Sequence, residues 1–233
     1  ATHGVFPPFP RAAERGRASY ISRMYTLYAR DGWGSAIVEA QLAWYGIDYQ
    51  RQVVGDLFHS AEAREELARF NRITQVPTLV LPGGRVMTES AAITLHLADA
   101  TGSEELVPGP AAAERPDFLR WLVFLVANIY PTFTYADDPS RFVDVEDARA
   151  PFRRSVDAYA RRLWTIVEQA AGRPWFLGSR FSAMDLYLAV MTHWRPGREW
   201  FAANAPRLAA IADVVDKETR LVEVWRRNFG EAG

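Results

Sequence analysis

The sequence predicts an α/β domain with a mixed sheet, joined by a linker to an all-helical bundle. Three observations predict it. Short apolar or alternating runs separated by helical stripes fill residues 24–100. Gly102, Pro108, Gly109 and Pro110 then interrupt every period between residues 101 and 113. From Glu114 onward no convincing strand occurs. The expected division is a first domain over residues 24–100, a linker over 101–113 and a helical domain over 114–233.

Each element follows from its pattern. Residues 24–28 alternate as a strand, and residues 35–45 carry Ile37, Ala40, Leu42 and Trp44 on a helix that Gly46 ends. Residues 49–54 read as a second strand and residues 61–70 as a short helix. Residues 78–81 and 85–88 flank Pro82-Gly83-Gly84 as a hairpin, and Glu89 opens an apolar-periodic helix. The order is β-α-β-α-β-β-α, with a mixed sheet. In the second domain Phe118, Trp121, Leu122, Leu125, Val126 and Ile129 form one helical stripe. Val156, Tyr159, Leu163, Ile166 and Val167 form another, as in a helical bundle.

The whole chain narrows the function classes. Its 233 residues suffice for two small domains with proper cores. With 49% apolar and 24% charged residues it is ordinary for a globular protein, and a net charge of −1 gives no general basic field for nucleic acid or anionic membrane. Cysteine is absent, so there is no disulfide, thiolate metal site or cysteine nucleophile. His3, His59, His96 and His193 are scattered without metal-ligand spacing. The greasiest stretch, residues 121–127, is far too short to span a membrane. Residues 1–23 lack the apolar core of a secretory signal; they hold four arginines against one acid, and Pro7, Pro8 and Pro10 make them an irregular extension.

Two blocks carry chemistry. The first is Gln75-Val76-Pro77-Thr78-Leu79 followed by Thr88-Glu89-Ser90-Ala91-Ala92-Ile93. Val76 precedes a proline and is pushed towards extended geometry, which turns its N–H and C=O sideways, where they can pair with a ligand amide. Ser90 and the free N–H groups of its helix can hold a carboxylate, and Glu89 can meet an amine. A zwitterionic head joined to an amide backbone describes glutathione. The alternative, a plain strand start and a plain helix cap, stays open on these residues alone. The second block is Trp175-Phe176-Leu177-Gly178 with Phe181-Ser182-Ala183-Met184-Asp185. Its Ser and Asp suit a capping box, with Phe181 and Leu186 as a hydrophobic staple, so its role is structural.

In this order the two blocks resemble the glutathione transferase family. The resemblance implies a thioredoxin-like first domain in which Pro77 is cis, Val76 pairs with the cysteinyl part of glutathione, and Glu89 and Ser90 hold its γ-glutamyl end. It also implies that Gln75 supports the glycyl-to-cysteinyl stretch, with Asn71 before that turn. In the loop Ala29-Arg30-Asp31-Gly32-Trp33-Gly34-Ser35, Ser35 resembles the serine that donates a hydrogen bond to the glutathione sulfur in the serine-type branch. Tyr28, near the strand end, is the competing donor. Arg30 and Trp33 depart from the commoner family loop, which leaves the class open. A thiol of pKa about 8.5 ionises more readily at a helix N-terminus, so a hydroxyl donor there enriches the nucleophilic thiolate.

The family reading further implies glutathione as co-substrate without a metal, a small hydrophobic electrophile, a homodimer and a cytoplasmic location, with no nucleic-acid or membrane partner. The electrophile is expected between the domains, where Phe124, Asn128, Tyr130 and Tyr135 are candidates. Without cysteine, the branches that work through an enzyme mixed disulfide are excluded. Ether cleavage, dehalogenation and isomerisation would reuse the same thiolate. The rival of another class is a non-catalytic binding or regulatory protein on the same scaffold.

Overall fold

The computed structural model describes residues 24–230, and the extension expected over residues 1–23 lies outside the described residues. The first part of the chain runs β1 (Tyr25–Ala29), α1 (Ser35–Trp44), β2 (Tyr49–Val53), α2 (Ala61–Ala68), β3 (Thr78–Val80), β4 (Val86–Met87) and α3 (Ser90–Thr101). The sheet order is β2-β1-β3-β4, with β1 parallel to β2 and antiparallel to β3, and β3 antiparallel to β4. This is the mixed thioredoxin-like sheet that the sequence predicts.

The helical part comprises α4 (Arg115–Phe124), α5 (Tyr130–Asp137), α6 (Glu146–Ala170), α7 (Ala183–Met191), α8 (Arg198–Asn204), α9 (Pro206–Val215) and α10 (Val222–Phe229). A π-helical turn, Leu125–Ile129, joins α4 to α5. Pro131 sits in the first turn of α5. Lacking an N–H, it cannot continue the regular ladder, and the widened turn absorbs the mismatch.

Helix α1 is packed on every side. Its residues from Ser35 to Leu42 are all buried. Val38 and Leu42 join Leu27, Leu79, Ile93 and Leu97 in the sheet core, whereas Ala36, Ile37 and Ala40 belong to the core of the helical domain with Tyr187 and Met184. A helix buried on all faces, with few polar side chains, is what a position between two layers demands. Phe181 stacks on Trp44, with ring centroids 4.4 Å apart, and the Ala183 N–H donates to the Leu106 carbonyl at 2.7 Å.

The expected capping box is present at α7. Asp185 accepts from the Ser182 N–H at 2.8 Å and from the Phe176 N–H at 2.8 Å, and the Ser182 hydroxyl accepts from Met184 at 3.2 Å. The second helical stripe lies differently from expectation. On α6 the core face is Ala160, Leu163, Trp164 and Val167, whereas Tyr159 and Ile166 are exposed. Fully buried Trp164 supplies the large core side chain, rotating the apolar face by one residue.

Asp185 ties two buried amides to one carboxylate, so Asp185→Ala should destabilise the protein by roughly 2–4 kcal/mol, whereas Ser182→Ala should cost about 1 kcal/mol. Denaturant midpoints check both. An Asp185→Ala midpoint equal to that of wild type would show the box to be dispensable.

Candidate functional site

The loop between β1 and α1 is held from three directions. Within it, the Ser35 hydroxyl accepts from the Arg30 N–H and donates to the Arg30 carbonyl, both at 3.0 Å. From α10, the Asn228 side-chain oxygen accepts from the Gly32 N–H at 3.1 Å. The Trp194 indole N–H donates to the Gly32 carbonyl at 2.7 Å. Gly32 has φ +74°, a conformation open to glycine, so both of its peptide groups can face these partners.

Asn228 is itself anchored, donating to the Glu39 carboxylate on α1 at 3.0 Å. Glu39 is fully buried and also meets Arg51 at 3.1 Å, Tyr49 at 3.0 Å and Arg227. A carboxylate so deep requires such partners, since an unpaired buried charge is strongly destabilising.

The second wall is the turn before β3. Asn71 is buried; its amide donates to the Gln75 carbonyl at 3.0 Å and to the Thr78 hydroxyl at 3.1 Å, while its oxygen accepts from the Ile73 N–H at 3.0 Å. The Thr78 hydroxyl also donates to the Gln75 carbonyl at 2.9 Å. This knot presents Val76, whose peptide bond to Pro77 is cis. Among the described residues Val76 makes no backbone hydrogen bond, so its N–H and C=O remain available. Its carbonyl oxygen faces the start of α1, 3.2 Å from where a Gly34 Cβ would stand.

At the start of α3, Glu89 has φ +67°, which is costly for a residue with a Cβ and of order 1–3 kcal/mol. Its side chain is exposed, whereas Ser90 is buried. Behind Ser90, the Thr94 hydroxyl donates to the Ser90 carbonyl at 2.9 Å, accepts from Gln41 at 3.0 Å and lies 3.3 Å from the Tyr187 hydroxyl. Burial pushes the Tyr187 hydroxyl up to about 12, with Ser90 and Thr94 pulling the other way. It is a neutral phenol near neutral pH.

Between the first two of these walls and the helical domain a cavity of about 720 Å³ opens, and Glu89 and Ser90 do not line it. Trp33, Phe58 and Val76 border it from the sheet domain, and Tyr130, Phe133 and Trp194 border it from the helical domain. Trp33 packs on Phe58 at 4.8 Å, and Trp194 lies edge-on to Tyr130 at 5.6 Å and to Phe133 at 5.1 Å. The far rim is charged, but Arg195 is occupied by Asp137 and by Asp157 at 3.1 Å. Among the described residues no cluster of His, Asp or Glu could hold a metal ion, and no helix is long and apolar enough to cross a membrane.

The residues expected from sequence are therefore divided. Gln75 and Val76 border the cavity, with Pro77 buried behind them. Ser35 and Tyr28 do not border it: Ser35 is fully buried on the loop side, and the Tyr28 ring packs on Phe70 at 4.8 Å. Of the four electrophile-pocket candidates only Tyr130 borders it. Asn128 donates to the Phe124 carbonyl at 3.3 Å, Phe124 packs on Trp121, and Tyr135 packs on Phe142. Phe133, Trp194 and Asn228 were missed by the sequence reading. For Asn228 the one local signal is Glu39, a charge inside a mostly apolar helical run, which calls for buried partners from elsewhere.

Residues 35–100 match the family model for the glutathione S-transferase N-terminal domain. The GST-like protein YncG of Escherichia coli K12 is 41% identical over 206 residues, covering 88% of this chain and 98% of YncG. Among solved structures, a sphingomonad glutathione S-transferase complexed with glutathione has a TM-score of 0.70 at 25% identity, over 86% of this chain and 97% of that one. The nitrogen regulation fragment of the yeast prion protein Ure2p shares the fold at a TM-score of 0.73 and 19% identity, over 88% and 96% of the two chains. With that extent of identity to YncG, on a thioredoxin-like domain joined to a helical one, the chain belongs to the glutathione S-transferase family.

Proposed function

We propose that the chain binds glutathione along Gln75, Val76 and the starts of α1 and α3, and joins the glutathione sulfur to a small hydrophobic electrophile in the aromatic cavity. The observation that carries this reading is the open amide pair of Val76, facing the N-terminus of α1 across the cavity mouth. An extended peptide can pair there, with its sulfur directed to the positive end of a helix ten residues long. Ser90 and the α3 amides would receive the γ-glutamyl carboxylate, and Glu89 its amine. Pro77 fixes the turn behind Val76.

Near that helix start the thiol loses its proton to solvent more readily, and the thiolate attacks the electrophilic carbon. A carbon–sulfur bond forms; a leaving group departs with its electron pair, or a conjugate acceptor takes up a proton. Ser35 contributes by closing the loop on Arg30, and Tyr28 by packing beneath it. Aromatic walls from both domains, Trp33 and Phe58 facing Phe133 and Trp194, suit a flat apolar partner. We place this chemistry in the cytoplasm, in a homodimer; exposed Phe70 and Ile73 beside the site are apolar surface for a second copy. A sedimentation mass of one protomer would contradict the dimer.

A second reading is a non-catalytic glutathione-fold module. What favours it is that neither Ser35 nor Tyr28 presents a hydroxyl to the cavity. Binding of glutathione without turnover of an aryl halide or an isothiocyanate would support that reading over the first.

Calorimetric titration of wild type and Glu89→Ala tests the site. Wild type should bind glutathione in the micromolar to millimolar range, about 4–8 kcal/mol, and the variant should bind at least about tenfold more weakly. No binding by wild type would overturn the reading. Glu89→Gly adds a second test, since it removes the contact and relieves the positive φ together. It should unfold at a higher denaturant midpoint, by up to about 1 kcal/mol, while losing affinity. Retained affinity would remove Glu89 from the site.

A further inference from the structure

We propose that Tyr130, from the helical domain, is the hydroxyl that hydrogen-bonds the glutathione sulfur in this chain. This rests on the reading that glutathione lies along Val76. Neither hydroxyl expected in that role reaches the cavity: Ser35 has Arg30 as both donor and acceptor, and Tyr28, whose ring packs on Phe70, does not border it. The loop thus brings the start of α1 to the sulfur without a side-chain donor of its own.

Tyr130 supplies one from across the domain boundary. A Cβ at Gly34 would stand 2.9 Å from the Tyr130 hydroxyl oxygen and 3.2 Å from the Val76 carbonyl oxygen. That point lies beside the amide that would hold the cysteinyl unit, so the sulfur, one carbon beyond that unit's Cα, falls within reach of it. Gly34 is what lets the phenol in. The residue also follows directly on the π-helical turn, which together with Pro131 sets where this first side chain of α5 enters the cleft.

The hydroxyl oxygen is buried and has no hydrogen bond of normal geometry among the described residues. Ser90 and Tyr187 are its polar neighbours. A buried hydroxyl whose contact with Ser90 falls short of good hydrogen-bond geometry is stabilised by a charged acceptor. Burial, with the Tyr187 hydroxyl, pushes its ionisation well above the ordinary phenol range, against a lowering pull from Ser90. It therefore stays a neutral donor wherever the thiolate forms. No covalent change at Tyr130 is needed: the thiol proton goes to solvent, and the phenol O–H donates to the sulfur anion.

The bland alternative is that Tyr130 only fills the space above Gly34. Tyr130→Phe separates the two, because it keeps the ring and deletes the donor. Glutathione binding should stay within about threefold of wild type. The bound thiol should ionise at higher pH by ultraviolet thiolate absorbance, and kcat with an aryl halide should fall about 10- to 100-fold, the scale of one hydrogen bond to a charged group. Gly34→Ala, which displaces the hydroxyl with the phenol intact, should reproduce the thiol shift. Unchanged thiol ionisation in a folded Tyr130→Phe protein that binds glutathione overturns this inference alone. Failure of wild type to bind glutathione overturns it together with the reading beneath it.

Discussion

The complete burial of α1 between the sheet and the helical domain is the constraint on which the rest depends. One helix serves two cores, with Val38 and Leu42 facing the sheet and Ala36, Ile37 and Ala40 facing the bundle. Close-packed interiors transmit small displacements, so the position of its N-terminus is set by both domains at once. A cleft at that N-terminus is consequently lined from both sides. The helical domain is part of the site's wall and also part of its foundation.

Polar contacts refine what packing sets. Gly32 is held at both peptide groups by residues from the far end of the chain, Trp194 and Asn228, and Asn228 is in turn bound to Glu39 on α1. The loop, α1 and α10 thus form one connected unit around a buried carboxylate. Networks of this kind are stabilising only when every member is satisfied, which couples the C-terminal helix to the geometry at Gly32. Across the cleft, the Asn71 knot fixes Val76, and Glu89 holds a positive φ that a helix start does not require. Strain at that position fits a residue selected for where its side chain points.

Local signals in the sequence carried the fold well. Short alternating runs located the strands, and the Ser182 to Asp185 spacing located the capping box, because both depend on neighbours within a few residues. The face of α6 was misread because Tyr159 and Ile166 fit a helical stripe as well as Ala160 and Trp164 do, and only packing chooses between them. Near the candidate site, the turn at Val76-Pro77 and the helix start at Glu89-Ser90 were legible for the same local reason. The partners of Gly32 were not, since Trp194 lies 162 positions away and Asn228 lies 196. The Ser35 hydroxyl was also hidden: its engagement with Arg30 follows from the loop's conformation rather than from its spacing. Tyr130 was visible as a candidate wall residue, but its approach to Gly34 depends on how the two domains pack.

The central claim is that glutathione occupies a cleft built jointly by the α1 loop, Val76 and the helical domain. Backbone and indole amide resonances of isotope-labelled protein, followed through a glutathione titration, test it most directly. The account predicts that the largest shifts fall on Gly32 to Ala36, Val76, Ser90 and the Trp194 indole, residues drawn from both domains. Saturable shifts confined to other surfaces, with these signals unmoved, would contradict it.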